Sequence, residues 1–205
     1  MNSTVASWVK DIKLVLKGIF NDPVKSQNIE LKPKRLMSIG FAMWLPFIVV
    51  THYILASLMN ASLMSNHYAE WGELFASATT APTIGFSGNI KVLVVTLVPL
   101  VATFVSIKMC ASVLKVKIPL EKLVYNVGLI YIPTAIFLFV MVMLGITYVK
   151  TLMVVGVFTF CSTISLVNGV FVHGMNQTER KTLLLTPITM ILSTVSMHLL
   201  YGLFF

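Results

Sequence analysis

Leu123–Thr147 reads LVYNVGLIYIPTAIFLFVMVMLGIT, a run of 25 residues without a charge. A bilayer core of about 30 Å is crossed by about 20 apolar residues in a helix. Its apolar character does not alternate with a period of two, which excludes an outer-membrane barrel strand. Four more runs share this character: Leu36–Met59, Val92–Val113, Leu152–Phe171 and Leu183–Phe205. Each is bounded by charge or by Pro, Gly and Asn punctuation. Five such runs in a soluble protein would need a polar mass to bury them, and only 11% of this chain is charged. The expected fold class is therefore all-α, a polytopic membrane bundle of five transmembrane helices over residues 36–205, with an external loop at 60–91.

Loop charge gives the bundle a direction. Lys10, Lys13, Lys17, Lys25, Lys32, Lys34 and Arg35 precede the first run; Lys115, Lys117 and Lys122 separate the second and third; Arg180 and Lys181 precede the fifth. The alternate side has Lys91 and Lys150, beside Glu70 and Glu73. Positive charge stays inside, so a cell-membrane protein with a cytoplasmic N-terminus and an external C-terminus is expected. The net charge of +8 then implies anionic lipids of the bilayer's cytoplasmic face as partners. Nucleic acid is not an expected partner, because the cations divide among three loops instead of forming one surface.

Residues 1–35 form a basic cytoplasmic N-terminal segment. Lys10, Asp11, Lys13 and Lys17 interrupt its apolar residues, so it is not read as a cleavable signal peptide. From Ser7 to Phe20 it reads as an amphipathic helix: Trp8, Ile12, Val15, Leu16, Ile19 and Phe20 share one face. Asn21-Asp22-Pro23 stops it. Such a helix either lies in the inner interface or packs on the cytoplasmic face of the bundle. In the external loop, Tyr68, Trp71, Leu74 and Phe75 have helical spacing and predict a short interfacial helix. Thr79 to Asn89 is turn-rich and reads as a surface loop.

Chemistry-bearing residues are few. No CxxC, HExxH, GxSxG or P-loop spacing occurs, so no catalytic residue, cofactor or metal is expected. Cys110 and Cys161 fall inside spans as small packing residues. His52 and His198 fall in the external half and His67 in the outer loop; they read as neutral histidines bonded to a neighbouring helix, with convergence on a metal as the alternative, although no pair has the i, i+4 ligand spacing. Pro46, Pro99 and Pro133 should kink or open their helices, whereas Pro187 lies near the first turn of its apolar run. Ala102, Ser106 and Cys110, with Ser165 and Gly169, form small-residue seams for helix packing within the bundle; a homodimer is the alternative use.

Toward the cytoplasm, Lys108, Asn126 and Asn168 fall in the inner third of their spans, with His173 just beyond the fourth. Membrane-embedded polar groups are unfavourable unless they snorkel or face a polar interior. These four residues are the candidate ligand-binding set, a cytoplasm-facing pocket for an anion or a lipid headgroup. Snorkelling of Lys108 is the competing reading.

The third run, with Tyr125-Asn126-Val127-Gly128 leading to Pro133, resembles the Yip1-like family of integral membrane proteins. So do the N-terminal Ile19-Phe20-Asn21-Asp22-Pro23 and the closing Glu179-Arg180-Lys181 with Thr186-Pro187. The resemblance implies five spans with an external C-terminus, in a compact prokaryotic-type member. Eukaryotic members are associated with small GTPases and vesicle traffic through a longer cytosolic region than the 35 residues found here. The implied role is non-enzymatic, organising membrane composition or membrane-protein partners. The alternative is a transporter or lipid translocator for an anionic small molecule or headgroup.

Overall fold

A computed structural model describes residues 3–22, 25–76, 84–144, 161–175 and 179–204. All regular structure among them is helical: α1 (Ser3–Asn21), α2 (Pro33–Ala76), α3 (Phe86–Val113), α4 (Leu120–Met143), α5 (Cys161–His173) and α6 (Glu179–Phe204). Within α2 the stretch Pro33–Asn60, with α3, α4 and the Thr182–Leu200 stretch of α6, is long and apolar enough to cross a membrane. Residues 152–160 of the fourth expected span and 145–147 of the third lie outside the described residues; the described part of the fourth is α5.

At their N-terminal ends the helices overrun the apolar runs that announced them, whereas α4 stops at Met143, short of the expected Thr147. Hydropathy marks the part of a helix that suits hydrocarbon, while backbone hydrogen bonding carries the helix on into polar sequence. Thus α3 begins at Phe86 instead of Val92, and α6 at Glu179 instead of Leu183. Pro187 consequently sits in the interior of α6 and not at its start, where its missing N–H would cost less. At 44 residues α2 is about 66 Å long, and it continues through the stretch expected to form a separate interfacial helix. Each helix remains unbroken at its internal proline.

Side-chain pairings set the topology. Gly40, Trp44 and Phe47 of α2 meet Tyr125, Gly128 and Tyr131 of α4 in the same order, so these helices run parallel. Cys110 and Thr103 of α3 meet Thr189 and Ser193 of α6 in opposite order, so these run antiparallel. Among the described elements the α2–α4 contact is the most extensive, followed by α3–α6. Glycine makes the first contact close. A Cβ on Gly40 would lie 2.8 Å from the Tyr125 backbone, and one on Gly128 would lie 2.8 Å from the Gly40 carbonyl oxygen. Trp44 Nε1 donates to the Val124 carbonyl at 3.1 Å across the same seam.

A polar chain ties three helices together at mid-bundle. The Tyr131 hydroxyl donates to the Pro99 carbonyl at 3.0 Å and lies 2.8 Å from Thr103 Oγ1, which lies 3.3 Å from Ser193 Oγ. At its far end α3 closes with Val116 N–H on the Ala111 carbonyl and Lys115 N–H on the Ser112 carbonyl, around Lys115 at a φ of 56°. This is a Schellman closure with lysine where glycine is usual. The parallel and antiparallel pairings gather Lys34 and Arg35, Lys115 and Lys117, and Lys122 at one end of the bundle, called here the basic end.

Candidate functional site

The basic end is organised by α1. Its apolar spacing and the stop at Asn21 are those the sequence predicts. Arg35, in the first turn of α2, donates one arm of its guanidinium to Asp11 and the other to Ser7 Oγ at 2.7 Å. Two bonds from one rigid fork fix a helix more firmly than a single lysine contact does. Two turns beyond Asp11, Gly18 lies against Ser26 and Ile29; a Cβ there would meet Ser26 Cβ at 3.0 Å.

At 100° per residue α1 divides into three sectors. Asp11, Gly18, Val15, Trp8 and Ile19 face the bundle, with Val15 only 2% exposed. Next around the helix come Ile12, Leu16, Val9 and Phe20, all exposed and Phe20 at 74%. Lys13, Lys17 and Lys10 follow, also exposed. The helix is docked by one edge, carries an open apolar strip beside that edge, and presents its lysines beyond the strip.

The linker after α1 is pinned from below. Its 3-10 turn, Lys25–Asn28, buries Ser26 and Gln27. Gln27 Nε2 donates to the Leu166 carbonyl of α5 at 2.8 Å, and the Tyr125 hydroxyl donates to the Ser26 carbonyl at 3.1 Å. Gln27 Oε1 is buried with no hydrogen-bond partner.

The four residues read as a ligand-binding set are placed differently from one another. Asn126 is fully buried, and both its amide atoms lack a hydrogen-bond partner. Asn168 is half-buried on α5, its Oδ1 accepting from Thr186 Oγ1 of α6 at 3.3 Å. His173 is half-buried in the π turn Val170–Gly174 that ends α5. Lys108 does not join the buried amides: it is exposed, on the side of α3 with Val105, Met109 and Ser112. The buried stripe of α3 is Ala102, Thr103, Ser106, Ile107, Cys110 and Ala111, and one helical step carries Lys108 off it.

Histidines at the opposite end also depart from expectation. His52 Nδ1 is buried without the expected bond to a neighbouring helix, while His198 is exposed. The side chain of His67 lies outside the described residues. Among the described residues, no three His, Cys, Asp or Glu side chains gather where they could hold a metal ion.

Sequence reasoning missed Gln27 and the Arg35 clamp. Asp11 carried a signal, being the one carboxylate in a helix of lysines and standing on its apolar flank. Gln27 carried none, because a single glutamine in a short linker has no pattern. Comparison with protein-family models, with curated proteins and with solved structures finds no match for this chain.

Proposed function

We propose that the chain is a non-enzymatic multi-pass protein of the cell membrane, of Yip1-like type, that organises anionic lipids or partner proteins at its cytoplasmic face. The observation that carries this reading is the build of α1. A helix clamped to the bundle by Arg35, with an exposed apolar strip beside a stripe of lysines, suits the boundary between hydrocarbon and headgroups. The gathering of cations at the basic end supports a cytoplasmic N-terminus, and each lysine near an anionic surface is worth about 1 kcal/mol. The exposed position of Lys108 close to that end fits the same leaflet, its ammonium reaching the interface along the outside of α3.

A second reading, translocation of an anionic headgroup or small anion, draws on Asn126. An amide buried without a partner is costly in an apolar interior, and a passing polar group would satisfy it.

Reconstitution separates the two. The chain is placed in vesicles containing a fluorescent anionic phospholipid at low mole fraction. Clustering is read by self-quenching, and transbilayer movement by the fraction accessible to an external reductant. Clustering without accelerated transbilayer movement is the expected result. Movement that exceeds protein-free vesicles and disappears in Asn126→Leu would establish the second reading instead. Failure to cluster would remove the first.

A further inference from the structure

Beneath α1 the bundle surface is hollow. One cavity of about 300 Å³ lies between the strip Ile12, Leu16 and Phe20 and the Ile39, Ala42 and Pro46 side of α2. A second, of about 400 Å³, continues from Ile19 and Phe20 along α4. The two share Ile19, Phe20, Ile132 and Ile136, so they form one continuous track. No lining residue of either carries a charge. Along α4 the track follows Leu129, Ile132, Ile136 and Val140, three turns on one face. Those turns span about 16 Å at 1.5 Å per residue.

Three features of this track select its occupant. Its length is close to half of a hydrocarbon core of about 30 Å, the depth of one leaflet. Its direction is that of the helix axis of α4, which is also the direction of lipid chains around a crossing helix. Where its two cavities meet, Phe20 is exposed, and Lys17 and Lys13 stand on the neighbouring strip of α1, both exposed, so the entrance is placed beside these lysines. A second copy of this chain would not be chosen by that charge, and a soluble anion would not fill an apolar channel.

We propose that this track is a binding site for one anionic phospholipid, its acyl chain lying along α4 beneath α1 and its phosphate at Lys13 and Lys17. The proposal rests on the membrane placement argued above and goes further than clustering: it requires one defined, retained lipid. The Arg35 clamp then has a definite purpose. It holds α1 as the roof of the entrance, so that the headgroup cations stay in register with the channel. Phe20 forms the lip between the two.

The test uses the full chain purified in detergent from bilayers holding equal amounts of phosphatidylglycerol and phosphatidylcholine, with retained lipid counted by native mass spectrometry. Wild type should keep one phosphatidylglycerol per chain, enriched about tenfold over phosphatidylcholine. Ile136→Trp and Ala42→Phe each fill the track from a different helix at an exposed position. Both should lose the retained lipid of either headgroup while their helical circular dichroism stays unchanged. Lys13→Gln with Lys17→Gln should keep a lipid but lose the enrichment. Retention of lipid by both filled variants overturns the track, and undiminished enrichment in the lysine pair overturns the headgroup assignment. Clustering of anionic lipid in vesicles without any retained lipid would sink this site alone; absence of both would sink it together with the function it builds on.

Discussion

Two seams hold this bundle, and they are made differently. The parallel α2–α4 seam brings backbones together by leaving side chains out, with Gly40 set against Tyr125 and Gly128 against the Gly40 carbonyl. The antiparallel α3–α6 seam keeps its side chains and makes them small and hydroxylated: Thr103, Ser106 and Cys110 opposite Thr189 and Ser193. Between apolar helices in hydrocarbon, hydrophobic burial gives little net drive, so association depends on close packing and interhelical bonds. The first seam relies on the former and has no tolerance for added volume. The second relies partly on bonds, and a hydroxyl has alternatives.

The largest effect should therefore come from Gly40→Ala. One methyl group would have to enter a space bounded by main-chain atoms at 2.8 Å, which cannot move aside as a side-chain tip could. Overpacking of a fixed wall costs about 3 kcal/mol. The unfolding midpoint in mixed micelles should fall sharply, whereas Ala102→Gly on the other seam should cost only about 1 kcal/mol. Equal losses at both positions would erase the distinction between the seams.

A change of opposite sign is expected at Asn126, which sits in α4 beside that rigid seam. Both of its amide atoms are buried without a partner, and leucine of similar size removes the burden of desolvating them. Asn126→Leu should stabilise the bundle by about 2 kcal/mol, measured in the same micelles. Destabilisation would mean that the amide is satisfied in the folded protein.

How far this could be read in the sequence depends on what hydropathy encodes. Apolar runs announced the helices because lipid and helix length set the same requirement, and α3 does end at Val113 as expected. Their rotation was not announced. A helix apolar on all sides has no amphipathic phase, since its lipid face and its core face are made of the same residues. Depth alone therefore grouped Lys108 with Asn126 and Asn168. The small-residue seam at Ala102, Ser106 and Cys110 did carry the missing phase: at 100° per residue, Lys108 points to the opposite side of α3. In α1 the phase was visible, because lysines mark one side, and its apolar residues were read correctly. What stayed hidden there was the split of the apolar face into a docked edge and an open strip, which depends on where α2 and α4 stand.

Tyr131 joins the two seams, so its hydroxyl offers an intermediate test. It donates to the carbonyl of Pro99 and meets Thr103, which in turn reaches Ser193 of α6. Tyr131→Phe preserves the ring contact with Phe47, centroids 4.6 Å apart, and removes only the polar chain. Interhelical hydrogen bonds of this kind average about 0.6 kcal/mol and reach about 1.7. A loss near 1 kcal/mol is expected, because two bonds disappear and Thr103 loses a partner. A loss as large as that of Gly40→Ala would show that the hydroxyl chain, and not the glycine seam, holds α4 in place.

The smallest effect should come from Thr189, although its hydroxyl stands between two helices. Its Oγ1 lies 2.8 Å from the Leu185 carbonyl of its own helix and 3.1 Å from Cys110 Sγ of α3. One hydroxyl has one proton, and a carbonyl oxygen is a far better acceptor than sulfur. The proton therefore goes to Leu185, leaving the Cys110 thiol to donate weakly to Thr189. The stronger of the two bonds lies within α6 and persists when the helices separate, so it contributes nothing to holding them together. Thr189→Val, which keeps the shape, should shift the unfolding free energy by less than about 0.6 kcal/mol. Cys110→Ser sharpens the point: its hydroxyl is a stronger donor than the thiol, and should tighten the α3–α6 seam by a few tenths of a kcal/mol when Thr189 is present but not in Thr189→Val. A double-mutant cycle on these two residues measures that coupling directly. Coupling above about 1.5 kcal/mol would mean that the hydroxyl proton points at sulfur after all, and that the second seam is as firmly bonded as the first is packed.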